Sequence, residues 1–369
     1  MSCFKTNIRI VVFLAIAAVT LFLVQQSYIV SENDVKIANH TIELEKTRIL
    51  LWTPRNSAPN QTGFLEAVHK VCGTTCEFTM DRGTFNTSHG VLFFPFYLFH
   101  YNSTYPTRYS TNQTFIMYER EPPTRVGTHS LKDNFFNATS TFMMHSDIPY
   151  PYGYFQAKSQ EIDRAEYYKK LLREIKQKKS KGVFKVFSRC ITSSQREDVI
   201  AELQKYLDID LYGKCGNRSC DEYCFKENSE KYRFYLSLEN SICLDYVTEK
   251  FYRFNDLVPI VFKKEYYRNA PPRSFIAMDD FASLKSFANY IKFLLTNDEA
   301  YAEHLMWKYD YERRVVNTKD QFCKICQYVR TNKVVKTYTN ITEFWNHRKT
   351  CDRNFTENLL KNNKAVLSR

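Results

Sequence analysis

The chain has 369 residues, 44% hydrophobic and 25% charged, with a formal net charge of +12. That length supports more than one hydrophobic core, and the apolar content excludes a disordered polyelectrolyte. Only nine glycines occur, none of them in G-x-G-x-x-G or a P-loop, so a glycine-rich phosphate cradle is excluded.

Lys5 and Arg9 precede an uncharged run from Ile10 to Val24 that continues through Gln25, Gln26 and Ser27 to Val30. A bilayer span takes about 20 residues. The pattern therefore predicts a cytoplasmic tail over 1–9, a transmembrane signal-anchor over 10–30 and a polar stem over 31–45. A cleaved signal peptide is the competing reading. Its small-residue site, Ala15-Ile16-Ala17, lies inside the apolar run, where cleavage would leave almost no apolar core. Basic residues on the N-terminal side place the body in a lumen as a type II membrane protein. Nine N-x-S/T sites agree: Asn39, Asn60, Asn86, Asn102, Asn112, Asn137, Asn217, Asn340 and Asn354. Ten of the eleven cysteines follow the anchor, and in an oxidising lumen an even number reads as disulfides. Cys323-x-x-Cys326 has no second C-x-x-C partner, so a local or long-range disulfide is expected there rather than zinc. The same compartment argues against nucleic acid as the partner of a basic chain.

From Arg48 the pattern turns to buried strands. Ile49–Trp52, Gly90–Phe94 and Thr114–Tyr118 are the first three, spaced by helical lengths. Tyr150-Pro151-Tyr152-Gly153-Tyr154 breaks the pattern, and 160–180 reads as a charged amphipathic helix. Strands then follow at 181–187, 207–213, 232–238 and 257–262, with helices at 196–206, 246–254, 283–296 and 298–308. Alternating strands and helices predict α/β domains with parallel sheets, one over 46–155 and one over 156–345, with a C-terminal tail over 346–369. A ligand is expected in the cleft between them.

The densest polar constellation is Glu239-Asn240-Ser241 followed by Asp245-Tyr246-Val247-Thr248-Glu249-Lys250, at a strand end where a helix begins. Such positions favour anions. Two readings stand on composition. In one, Asn240, Tyr246, Glu249 and Lys250 hold a nucleotide; in the other, Ser241 or Asp245 caps a helix and Glu249–Lys250 are solvated. Asp208-Ile209-Asp210 resembles a D-x-D metal motif, yet it lies within an alternating apolar strand, and no metal site is expected.

The segment Tyr232–Ser241 with Asp245–Lys250 closely resembles the donor-binding signature of the α1,3/4-fucosyltransferases. Further likeness is carried by Ser146-Asp147-Ile148-Pro149 with Pro151-Tyr152-Gly153, by Asp210–Gly216, by Pro272–Phe281 and by Phe322–Cys326. The resemblance implies a GT-B-like fold, two Rossmann-like domains facing across a cleft, in a Golgi enzyme that uses GDP-fucose. It implies donor contacts from Arg196, Asn240, Tyr246, Glu249 and Lys250. Arg196 and Lys250 would neutralise the leaving nucleotide in place of a metal. No cofactor is then required, and a divalent cation would at most stimulate. The acceptor would be a GlcNAc-type residue of a glycan on a glycoprotein or glycolipid.

The family's E-S-P segment supplies the carboxylate base of an inverting transfer. Its nearest match here is Glu121-Pro122-Pro123, making Glu121 the expected base and Glu119 the alternative. One departure stands out. Lys250 reaches Pro259 in nine residues where the family usually has about eleven, and the following turn lacks glycine. In the family that loop lies near the sugar, so a weakened glycan- or nucleotide-binding relative is the alternative reading.

Overall fold

A computed structural model describes residues 46–53, 61–100, 104–129, 131–332 and 336–367. The expected tail, anchor and stem over 1–45 lie outside the described residues. Among the described residues, no helix is long and apolar enough to cross a membrane.

The first sheet comprises β1 (Thr47–Leu51), β2 (Cys76–Thr79), β3 (Gly90–Phe93), β4 (Thr114–Glu119) and β5 (Ala138–Thr141). All are parallel, in the order β2-β1-β3-β4-β5. Apolar side chains of β1, β3 and β4 cover both faces, which is why these three strands read as apolar runs. Ile49, Leu51, Leu92, Ile116 and Tyr118 point to one core, while Leu50, Val91, Phe93, Phe115 and Met117 point to the other, following the two-residue period.

β5 reads Ala-Thr-Ser-Thr and was not recognised from the sequence, yet every residue in it is buried. Its hydroxyls are matched: Thr139 Oγ1 meets Asp147 at 3.1 Å, Thr141 Oγ1 meets Ser146 Oγ at 2.6 Å, and Ser140 Oγ accepts from Gln321 Nε2 at 3.0 Å. Partnered hydroxyls bury at little cost, so even a fully buried edge strand needs no apolar run.

The second sheet contains β7 (Lys181–Val186), β8 (Ile209–Tyr212), β9 (Tyr232–Leu236), β10 (Val258–Val261) and β11 (Ile276–Ala277), in the order β11-β10-β9-β7-β8. Counted within each sheet, both follow the same parallel pattern, in which order reverses between the first and third strands. β6 (Gly153–Ala157) and β12 (Tyr311–Val315) pair antiparallel in a separate ribbon. These are the α/β domains with parallel sheets that strand–helix alternation predicts.

The end of the chain departs from the expected layout. The Thr318–Thr331 helix, expected in the second domain, packs on the first sheet, with Phe322 against Phe64, Phe78 and Tyr118 at ring separations of 5.3, 5.3 and 5.7 Å. Disulfides Cys72–Cys323 and Cys76–Cys326 join it to the first domain. Three more pair Cys190 with Cys215, Cys220 with Cys224 and Cys243 with Cys351. Nor is 346–369 a loose tail: Phe355–Leu367 is a helix, anchored by Thr356 Oγ1 donating to Ser194 O at 2.6 Å. The reason is amphipathicity. Each helix carries an apolar stripe that only elements distant in sequence can cover, the first sheet for one and the Arg196–Leu203 and Leu284–Thr296 helices for the other.

Because Cys72–Cys323 and Cys76–Cys326 close nearly the same loop, of 251 and 250 residues, only removal of both releases it in the unfolded chain. The variant with Cys72, Cys76, Cys323 and Cys326 all replaced by alanine is expected to lose about 2–5 kcal/mol of stability, measured by denaturant unfolding. A loss below about 0.5 kcal/mol would show that helix packing alone holds the two ends together.

Candidate active site

A cavity of about 830 Å³ is lined by residues following the carboxyl ends of strands from both sheets. On the second sheet it opens where strand order reverses, between β7 and β9, the position at which open parallel sheets bind ligands. Arg189 and Arg196 come from the exit of β7, Gly213–Cys220 from that of β8, and Asn240, Tyr246, Glu249, Lys250 and Arg253 from that of β9. Glu121, Arg125 and Tyr152 come from the first domain. All six residues singled out from the sequence therefore border one space: Glu121, Arg196, Asn240, Tyr246, Glu249 and Lys250.

Local chemistry explains the placement. Gln195, in the left-handed region at φ 51°, turns the chain into the Arg196–Leu203 helix. Arg196 is buried there; Nη1 donates to Leu238 O at 2.9 Å and Nη2 to Arg189 O at 3.2 Å. Its Nε is buried without a hydrogen-bond partner among the described residues, as is Asn240 Oδ1. Such orphaned polar atoms at a cavity wall fit a polar ligand. Gly213 has φ 86°, and a Cβ there would come within 2.5 Å of Phe187 O, so only glycine lets these two wall segments meet.

Lys250 is fixed by a residue to which the sequence reading gave no role of its own. The buried Glu239 carboxylate lies 3.0 Å from Lys250 Nζ and accepts from Thr248 N at 2.8 Å. Glu249 lies 3.1 Å from the same ammonium. Burial pulls the Lys250 ammonium down, but Glu239 and Glu249 outweigh that and hold it above its ordinary value. Glu249 is pushed up by burial, yet the Lys250 charge and hydrogen bonds bring it below the usual carboxylate range. Burial raises the Tyr246 phenol well above its ordinary value, so it serves as a neutral donor or flat face. Its ring packs on Phe142 at 5.0 Å.

Seven cations line the cavity (Arg125, Arg189, Arg196, Lys214, Arg218, Lys250 and Arg253) against two carboxylates, Glu121 and Glu249. Of these, sequence reading named only Arg196 and Lys250. The others are scattered over separate segments, and the only trace of them in the sequence is the overall +12. So positive a concavity draws in anions and suits a diphosphate.

The two first-domain carboxylates differ sharply. Glu121 borders the cavity and lies 2.5 Å from Arg125. Glu119 is buried outside it, accepting from the backbone N–H of Phe96, Arg120 and Glu121, each at 2.9 Å. Glu119 thus shapes the loop that presents Glu121. Burial pushes its carboxyl up to about 7, against the pull of the three N–H donors. A carboxyl with a raised folded value binds its proton more tightly folded than unfolded, so stability falls as pH rises from about 4.5 to about 7. Urea midpoints across that range should fall more steeply for the wild-type protein than for Glu119→Gln. Parallel curves would show that Glu119 does not titrate there.

Asp208 and Asp210 do not border the cavity. Asp210 accepts from the Tyr232 hydroxyl and lies 3.7 Å from Arg218. No residue of 254–264 lines it, so the glycine-free turn stands away from this wall, whereas Arg253 of the shortened segment borders it.

Known proteins can now be set beside this geometry. The model described as glycosyltransferase family 10 (fucosyltransferase) C-term matches residues 176–345, and the model described as fucosyltransferase, N-terminal, matches 44–153. The chain is 30% identical to α-(1,3)-fucosyltransferase fut-1 of Caenorhabditis elegans over 351 residues, covering 89% of this chain and 76% of the relative. The chain belongs to glycosyltransferase family 10, the fucosyltransferases. It is also 32% identical to glycoprotein 3-α-L-fucosyltransferase A of Drosophila melanogaster, covering 87% of this chain and 64% of that one. A crystal structure of an α1,3-fucosyltransferase with GDP shares its fold at a TM-score of 0.52 and 16% identity, covering 80% of this chain and 93% of the other. The strand-end cavity of this family 10 member therefore sits in a fold that has been solved for an α1,3-fucosyltransferase.

Proposed function

We infer that the cavity carries out inverting transfer of L-fucose from GDP-fucose to a GlcNAc-type hydroxyl of a glycan, in α1,3 linkage. What carries the reading is that one cavity holds both a cationic wall, Arg196 and Lys250, and a carboxylate on the opposite domain, Glu121. The cations neutralise charge growing on the departing diphosphate, and Glu121 takes the proton of the attacking hydroxyl. Asn240, Tyr246 and Glu249 would orient the nucleotide sugar. With cations from the chain itself in that role, no metal is needed for leaving-group stabilisation.

The cavity wall counts for the active reading over a weakened relative, because all six residues expected to carry the chemistry line it and the glycine-free turn does not. Mass spectrometry of a panel of defined glycans incubated with GDP-fucose tests the inference. A mass increase of one fucose on GlcNAc-containing acceptors, undiminished by chelator, is expected. Tight GDP-fucose binding without turnover on any acceptor would favour the weakened reading, and abolition by chelator would return a metal to the mechanism.

We propose a Golgi membrane location, anchored through 10–30 with the body lumenal. Five disulfides among the described cysteines support an oxidising compartment. Asn86, Asn112, Asn217, Asn340 and Asn354 are exposed, as glycan acceptors must be. Asn137 is not: its Oδ1 accepts from Phe115 N at 2.8 Å and its Nδ2 donates to Lys336 O at 2.9 Å. Glycopeptide mapping should find Asn137 unmodified and others occupied; a wholly unglycosylated protein from a secretory host would contradict the placement.

A further inference from the structure

Lys185 lies on β7, one residue from its carboxyl end, and is wholly buried. It was not singled out from the sequence, where it reads as one more charge in an alternating strand. Its Nζ donates to Leu236 O at 2.7 Å and to Leu238 O at 3.1 Å. Leu238 O is also the acceptor of Arg196 Nη1 at 2.9 Å, so the Lys185 amine and the Arg196 guanidinium converge on a single carbonyl. Among the described residues Lys185 forms no ion pair. A buried ammonium satisfied only by carbonyls and set beside a guanidinium is costly, which favours the neutral amine, itself able to donate to the exit of β9, until an anion offsets the charge.

We propose that Lys185 is a positioning residue of the donor site, which holds the Leu236–Asn240 exit of β9 and Arg196 in place and becomes fully protonated as the diphosphate binds. The proposal rests on the donor reading above and adds to it a proton taken up with the nucleotide.

The groups facing Lys185 set the direction. Arg196 follows on the next helix, Lys250 and Glu249 lie on the Glu249–Tyr252 helix, and Glu239 and Tyr235 belong to β9 and its exit. Burial pulls the amine well below its ordinary value, Arg196 and Lys250 pull it further, and Glu239 and Glu249 offset part of this. Glu239 is already engaged by Lys250 and Thr248. A diphosphate against Arg196 and Lys250 cancels the repulsion Lys185 feels, so its affinity for a proton rises on binding. No histidine lines the cavity among the described residues, and Lys250 is held protonated throughout. The phosphates themselves would release protons to this wall rather than take them up, so uptake carries the opposite sign.

Calorimetric titration of the full-length protein with GDP at pH 8, in buffers of different ionisation enthalpy, separates these contributions. Wild type is expected to show net uptake of up to one proton. Lys185→Arg, charged at every working pH, should bind GDP comparably with no uptake. Lys185→Met should lose the uptake and bind about ten- to a hundredfold more weakly, as expected when hydrogen bonds to a charged group are lost. Equal melting temperatures of wild type and Lys185→Arg would exclude unfolding as the cause. GDP binding by wild type with zero uptake or net release, or uptake that persists in Lys185→Arg, would overturn the proposal. Failure of wild type to bind GDP at all would instead overturn the donor reading beneath it.

Discussion

Replacing Glu121 by glutamine is expected to lower kcat by about 10²–10⁴-fold while leaving the Kd for GDP within about threefold, because a general base contributes in that range to the chemical step alone. Glutamine keeps the shape of the side chain beside Arg125, which lies 2.5 Å from the carboxylate, but it cannot take a proton. Nucleotide binding depends on the opposite wall, from Arg196 to Lys250, and should be preserved. GDP release assays and calorimetry measure the two quantities separately. Glu119→Gln serves as the control: its carboxylate is occupied by three backbone N–H groups, so it should lower stability more than turnover. A large loss of kcat in Glu119→Gln with near-normal turnover in Glu121→Gln would move the base and contradict the assignment.

The second large effect is expected at Arg196. Arg196→Lys should lower kcat/KM by about 10²–10³-fold, the range for losing one preorganised group that meets developing charge. Lysine is not a conservative replacement here. The guanidinium reaches Leu238 O and Arg189 O through separate nitrogens, and its Nε is left without a partner among the described residues. An ammonium cannot span the same arrangement. Lys250 is held by Glu239 and Glu249 and cannot shift to compensate. If Arg196→Lys kept wild-type kcat/KM, the diphosphate would have to lie elsewhere on the wall, toward Arg189, Lys214 or Arg253.

Much of this was legible in the sequence, for identifiable physical reasons. Strands buried on both faces announce themselves as largely apolar runs, as β1, β3, β4, β9 and β10 did, while β7 and β8 showed as alternating ones. β5 did not, because its hydroxyls are satisfied by Asp147, Ser146 and Gln321, partners that local pattern does not show. The site residues from Asn240 to Lys250 were found because they lie close together along the chain. Lys185, Glu239 and the scattered arginines were not, because their roles arise from contacts between strands. Lys185 becomes meaningful only when β7 lies beside β9 and its amine meets Leu236 O and Leu238 O. The Thr318–Thr331 helix was placed in the wrong domain for a similar reason. Its apolar stripe does not name the sheet that covers it, and the contacts that do, Phe322 with Phe78 and Tyr118 and the bridges to Cys72 and Cys76, are all distant in sequence.

In the proposed mechanism an acceptor hydroxyl activated by Glu121 attacks the fucosyl carbon from the side opposite a nucleotide held by Arg196 and Lys250. The anomeric configuration and linkage of the product, read by proton NMR after reaction of GDP-β-L-fucose with a GlcNAc-terminated acceptor, test it most directly. An α-L-fucosyl residue on O3 is predicted. A β-linked product, which requires retention and a different arrangement of groups, would contradict it.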